Sequence, residues 1–135
     1  MSLWQPRPRI GATLVNDVGA LCWNELATAD PGPAKAFFGE LLGWQYRASG
    51  SGCVTIINAG RRNGSICGQT GRERGIPPAW LPHFTVEDAG DAARNAEQAG
   101  GRRLGPAAEI RTGRITVIAD PQGASLAVFE GETEP

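Results

Sequence analysis

Glu25 and His83 are the two ionisable side chains best suited to acid–base chemistry. The chain has a single histidine, His83, at a sequence offset of 58 from Glu25. The same offset aligns two halves of the sequence, so the two residues hold equivalent positions. If they face one pocket, the carboxylate raises the pKa of the imidazole towards neutrality, and the pair can act as general base and general acid. In the structural alternative, which is more common for a lone histidine, Glu25 binds the backbone or an arginine and His83 ends a strand.

Aromatic side chains form a second group that could contact a ligand. Trp23, Trp44 and Trp80 could stack on a flat organic molecule, with Trp80 at the rim of its pocket. Phe37 and Phe38 are expected to fasten a helix to a sheet instead, and Trp44 is expected to pack near the junction of two modules.

Arg114 is the cation that we expect to meet an anionic group on a ligand. It follows Gly113 and precedes an apolar run, and a guanidinium can hold a carboxylate through two hydrogen bonds. A surface ion pair is the alternative. No Gly-x-Gly-x-x-Gly or Gly-x-Ser-x-Gly motif is present, so a dinucleotide fold and a hydrolase elbow are not indicated.

An internal repeat at a constant offset of 58 organises the elements that must position these side chains. Leu21 to Trp44 aligns with Ala79 to Arg102, and each copy runs from an apolar stretch through an aspartate into an alanine-rich helical segment. The pairs that are identical are Asp30/Asp88, Gly32/Gly90, Ala34/Ala92 and Gly43/Gly101. The aspartates suit helix N-caps, and the glycines suit the left-handed position after each helix.

Three strand-like runs follow each helix, so each half is predicted to fold as β-α-β-β-β. Two such modules, about 20–70 and 79–130, are predicted to pack into one curved eight-stranded α+β assembly, because about 60 residues alone bury too little surface. Residues 1–19 are predicted to form an arm or an extra edge element, with Ile10 to Val15 weakly strand-like. Residues 131–135 are predicted to form a C-terminal tail.

Composition limits the classes of partner. The 135 residues suit one domain, and 13 basic against 14 acidic side chains give a formal charge of -1, so no nucleic acid partner is expected. No apolar run approaches the roughly 20 residues of a membrane span, and no secretory segment is seen. We therefore expect a cytoplasmic protein without membrane contact.

The three cysteines form no Cys-x-x-Cys pair and are expected to be small buried residues, not a disulfide framework or a zinc site.

From Ala20 to Glu130 the sequence resembles the vicinal oxygen chelate superfamily, which includes glyoxalases, bleomycin resistance proteins and dioxygenases. The markers are Trp23 to Asp30, Ala36 to Phe38, Leu41 to Trp44, Val86 to Asp88, Gly113-Arg114 and Asp120 to Ala124. The resemblance implies a single glyoxalase-like domain with a mixed sheet around a U-shaped cavity, commonly in a homodimer. In metal-dependent members a divalent ion in that cavity acts as a Lewis acid on substrate oxygens.

The resemblance also assigns four ligand positions, and they fall on Trp23, Gln69, Leu81 and Ala127. Only Gln69 carries a donor, and one neutral amide does not hold a divalent ion. We therefore predict no metal and no other cofactor, with the four residues lining an organic ligand and the indole of Trp23 filling the space of the ion. A displaced site from Glu25, His83 and Gln69 is a weaker alternative.

Three functions follow from these residues. The first is a protein that binds a small aromatic or anionic organic molecule in a metal-free cavity. The second is a metal-independent isomerase or lyase that uses Glu25 and His83 as acid and base. The third, a metal-dependent lyase or dioxygenase, conflicts with the missing donors.

Overall fold

The computed structural model describes residues 1–5, 7–8, 11–50, 52–69 and 77–133. In these ranges the chain forms two helices and nine strands. In chain order they are β1 (Leu21–Thr28), α1 (Pro31–Leu42), β2 (Gln45–Gly50), β3 (Cys53–Asn58), β4 (Arg61–Gly68), β5 (Ala79–Thr85), α2 (Ala89–Gln98), β6 (Arg102–Arg103), β7 (Ala108–Ile110), β8 (Gly113–Ala119) and β9 (Ser125–Gly131).

All the strands belong to one curved mixed sheet, as predicted. Its order is β2-β3-β4-β1-β5-β9-β8-β6, and β7 adds to β8 outside this path. Within each half the first strand pairs in parallel with the last, β1 with β4 and β5 with β9, and antiparallel pairing of β1 with β5 joins the halves. The eight expected strands are present. The ninth, β7, was missed because it has only three residues, all of them exposed, which is too short a run for a periodic signal.

The predicted helix caps are largely confirmed. The Asp30 side chain accepts a hydrogen bond from the Gly32 amide at 3.1 Å, and Gly43 ends α1 in the left-handed region with φ of 70°. Asp88 accepts from the Asp91 amide at 2.6 Å. The end of α2 differs from the prediction, since Ala99 is its C-cap and Gly101 is not in the left-handed region.

Gly101 is needed for a different reason. A Cβ there would lie 2.6 Å from the carbonyl oxygen of Ala119, so only glycine lets the chain after α2 approach β8 this closely.

The helices cover one face of the sheet, here called the helix face. Under α1 the buried side chains are Leu26, Phe38, Ile56 and Ile66, and under α2 they are Ala89, Ala93, Ile118 and Val128. Because neighbouring residues of a strand point to opposite faces, the residues between these core positions lie on the other side of the sheet, here called the inner face.

The segment that precedes β1 contains no helix or strand in the part that the structure describes. The predicted weak strand near Ile10 to Val15 is therefore wrong for 11–15, and Ile10 lies outside the described residues. The segment is tied to β5 by Thr85, whose carbonyl accepts from the Gly19 amide at 2.8 Å and whose hydroxyl donates to the Asn16 carbonyl at 3.2 Å. Within the described ranges, no helix is long and apolar enough to span a membrane.

Cys53 and Cys67 form a disulfide, which corrects the expectation of three unlinked cysteines. They face each other across β3 and β4, in register with one another. Their sequence separation is 14, and only the strand register brings them together. Cys22 keeps a free thiol.

Candidate functional site

The pairing of β1 with β5 brings four of the predicted site residues onto the inner face. Trp23 lies opposite His83, and Glu25 lies opposite Leu81. Directly opposed residues of antiparallel strands project to the same face, so the four side chains form one patch across the junction of the two modules. Glu25 and His83 are diagonal neighbours in this patch and not a direct pair.

Ser65 completes the patch, and the sequence did not identify it. Glu25 is in register with Ser65 on β4, as His83 is with Ala127 on β9. The structural counterpart of Ala127 is therefore Ser65 and not Gln69. Gln69 was assigned this position in error, because the constant offset of the repeat does not hold as far as the last strand of each module. The second module has four more residues between its first and last strands than the first module.

Gln69 itself lies after the end of β4, where its backbone amide donates to the Thr28 carbonyl at 2.8 Å. It is not one of the residues in register with the patch.

The indole of Trp23 is held by a hydrogen-bonded chain. Its Nε1 donates to Ser65 Oγ at 3.0 Å, and Ser65 Oγ donates in turn to Glu25 Oε2 at 3.5 Å. The Ser65 side chain is buried, whereas Trp23 and Glu25 are partly exposed. A buried hydroxyl with two partners restricts the rotamer of the indole, so Trp23 forms a fixed aromatic wall beside a carboxylate.

His83 does not have the protonation behaviour that the sequence suggested. Its side chain is 4% exposed, and burial lowers its pKa to about 4, so the imidazole is neutral at neutral pH. The expected rise of the pKa through a nearby carboxylate is wrong, because loss of water is the dominant influence at this position. Its Nε2 is buried and has no hydrogen-bond partner among the described residues.

Trp80 lies on the helix face, so its predicted place at the rim of the ligand cavity is wrong. It belongs to β5 and packs edge-to-face on Phe38 and Trp44, with ring centroids 5.5 and 6.1 Å away. Consecutive residues of a strand point to opposite faces. Trp80 directly precedes Leu81, which lies on the inner face.

Arg114 also lies on the helix face, and the surface ion pair is its actual role. On β8 it is in register with Glu130, and it lies on the same face as Ile118 of β8 and Val128 of β9, which pack under α2. Its Nε donates to Glu109 Oε1 at 2.7 Å, and its Nη1 lies 3.8 Å from Glu130 Oε2. The hydrogen bond and charge of Glu109 raise the pKa of Arg114. The predicted contact with an anionic ligand in the cavity is therefore not supported.

The residues at the corrected ligand positions do not fit a divalent ion. Trp23, Ser65, Leu81 and Ala127 offer a single neutral hydroxyl, which is already engaged by the indole and the carboxylate. No group of three or more His, Cys, Asp or Glu side chains suited to a metal is found in the described ranges. The patch instead combines an aromatic wall, a carboxylate and a buried neutral imidazole.

The chain matches one family model and several known proteins. The family model of a glyoxalase-like domain matches residues 21–129. CFP32 of Mycobacterium tuberculosis, named provisionally as a glyoxylase, is 37% identical over 96% of this chain and 51% of its own length. The anthracycline biosynthesis protein DnrV of Streptomyces peucetius is 27% identical over 82% of this chain and 46% of its own length. The chain thus spans about half the length of these curated relatives.

A solved structure with the same fold is the Mn(II)-bound glyoxalase of Novosphingobium aromaticivorans. It superposes with a TM-score of 0.57 at 15% identity, over 87% of this chain and 42% of that one. This likeness concerns the fold alone.

Proposed function

Because the chain belongs to the family of glyoxalase-like domains, we propose that it binds a small aromatic organic molecule on the inner face without a metal ion. The observation that carries this proposal is the indole of Trp23, which Ser65 holds at the first of the family's ligand positions. An indole supplies a flat apolar surface for stacking. The Glu25 carboxylate beside it accepts hydrogen bonds, so the proposed ligand carries a hydroxyl or amino donor.

Neutral His83 favours binding over acid–base catalysis. An imidazole with a pKa of about 4 carries a proton on only one nitrogen at neutral pH, and it is a poor general acid for an isomerase or lyase. Its unpartnered Nε2 could hydrogen-bond a ligand that displaces the surrounding side chains. The name of DnrV, which refers to anthracycline biosynthesis, is in keeping with an aromatic ligand.

A homodimer completes the proposal. The curated relatives are about twice as long as the segment that matches this chain. We expect two copies of the chain to associate. Phe37 and Leu41, one turn apart on α1, are 57% and 45% exposed and are candidates for burial in such a contact.

The proposal is tested with 2,6-dihydroxyanthraquinone, a planar aromatic molecule whose two hydroxyl donors point outward. Replacement Trp23→Leu is expected to weaken its binding about fivefold or more, since stacking on an aromatic side chain is worth roughly 1–3 kcal/mol per ring system. Isothermal titration calorimetry measures the dissociation constants. Trp4→Leu is the matched control, because Trp4 is exposed in the N-terminal segment.

Equal affinity of the wild-type protein and Trp23→Leu would contradict the proposed site. A comparable loss in Trp4→Leu would place binding on the N-terminal segment instead.

A further inference from the structure

A separate pocket lies on the helix face, next to the C-terminal end of α1. It has a volume of about 260 Å³ and is lined by two tryptophans, two asparagines and the first residue, namely Trp44, Trp80, Asn24, Asn63 and Met1. Asn24 alternates with Trp23 on β1, and so it points away from the inner face. The pocket is therefore distinct from the proposed inner-face site.

Packing fixes the two indoles that form its apolar walls. Their rings meet edge-to-face, with centroids 6.1 Å apart and planes at 84°. Phe38, which is buried, stacks on Trp44 at 5.5 Å and meets Trp80 edge-to-face at 5.5 Å. Two walls at nearly a right angle, supported from behind by one buried ring, make a preformed corner for a flat molecule.

The two asparagines supply the polar part of the pocket. Gly64 lets β1 and β4 approach closely, since a Cβ there would clash with the Asn24 carbonyl, and Asn63 directly precedes this glycine. The pairing of β3 with β4 shifts register between Ile56 and Ile57, which is the point of the sheet where Asn63 lies. No hydrogen bond of the Asn24 or Asn63 side chain is found within the described ranges. A carboxamide offers both a donor and an acceptor, and none of the lining side chains is charged.

The second module lacks the residues that form this pocket. At the offset of 58, Phe38 corresponds to Ala96, Trp44 to Arg102 and Asn24 to Pro82. Ala96 packs against the cluster under α2. In the first module Trp44 and Trp80 pack against the core under α1, so the walls of the pocket are held by that core.

We infer that this pocket binds a planar ring whose edge carries an adjacent N–H donor and carbonyl acceptor, as in a lactam. The indoles stack on or edge against the ring, and the two carboxamides pair with the donor and acceptor.

Quinolin-2(1H)-one, a bicyclic lactam, and naphthalene, which lacks the polar edge, are the probes. Calorimetric titrations are made in the Trp23→Leu background, so that the inner-face indole cannot contribute. Saturable binding of the lactam at millimolar concentration or below is expected. Asn24→Ala and Asn63→Ala are each expected to weaken it about fivefold to tenfold, in line with the loss of one hydrogen bond, and to leave naphthalene binding unchanged.

Asn95→Ala is the matched control, because Asn95 is an exposed asparagine on α2 of the other module. The inference is overturned if the lactam does not saturate in the Trp23→Leu background, or if both pocket variants bind it as the Asn95→Ala control does. Loss of lactam affinity only when Trp23 is replaced would assign the binding to the inner face and would equally overturn it.

Discussion

At the scale of single residues, the hydroxyl of Ser65 defines the inner-face site. It joins Trp23 and Glu25 through two hydrogen bonds, so an indole and a carboxylate stand side by side in a fixed arrangement. Removing the hydroxyl would leave both neighbours without this partner in a partly buried position. Ser65 is therefore a positioning residue for the proposed aromatic wall.

His83 makes stability dependent on pH. Its pKa is about 4 in the folded chain and about 6.5 when exposed, so the unfolded state binds more protons between these values. The stability contribution of neutral His83 is complete above pH 6.5 and falls as the pH drops towards 4, by about 3 kcal/mol in all. Urea unfolding at pH 7 and pH 4, for the wild type and for His83→Leu, measures this loss.

The carboxylates titrate in both proteins, so the difference between the wild type and His83→Leu isolates the histidine. A fall in stability of the same size in both would show that His83 is not responsible.

At the scale of elements, the disulfide between β3 and β4 is the covalent link of the first module. Cys53 and Cys67 close a loop with a sequence separation of 14, for which restriction of the unfolded chain predicts about 3 kcal/mol of stabilisation. Cys53→Ser combined with Cys67→Ser is expected to lower the urea midpoint accordingly, and addition of a reductant should have no further effect on this variant.

Cys22→Ser keeps the disulfide and is the control, since its midpoint should respond to reductant as the wild type does. An unchanged midpoint of the wild type on reduction would contradict a stabilising role of the link.

The same elements show what the sequence could and could not establish. The helices were predictable because their signals are local, with an aspartate at each start and a glycine at the end of α1. The place of Ser65 on β4 was not, since it depends on the number of residues between the first and last strands, which differs by four between the modules. This is why Gln69 was chosen in place of Ser65.

At the scale of the whole molecule, the two modules are joined across the β1–β5 pair, and the alignment offset predicted that two such modules exist. The offset of 58 holds through the first strand and the helix of each module, as the equivalent N-caps Asp30 and Asp88 show. The four extra residues of the second module lie between α2 and β9, where the short strand β7 was also missed. The fold thus followed from the repeat, while the exact composition of the site required the hydrogen-bonded register.

The proposed homodimer belongs to this scale. Sedimentation velocity over a range of protein concentrations is expected to show a species of twice the chain mass of 14.2 kDa. A monomer that persists at high concentration would remove the second copy from the proposal, while the inner-face ligand site would stand or fall on its own test.

The central claim is that the inner face holds an organic ring against Trp23 and not a metal ion. The indole N–H signals in a proton–nitrogen NMR spectrum test it most directly, with each of the four tryptophans assigned by replacement with phenylalanine. We predict that 2,6-dihydroxyanthraquinone shifts the Trp23 signal and leaves Trp4 unchanged, and that stoichiometric Mn²⁺ does not broaden Trp23. Selective broadening of Trp23 by Mn²⁺, with no shift on addition of the anthraquinone, would contradict the account.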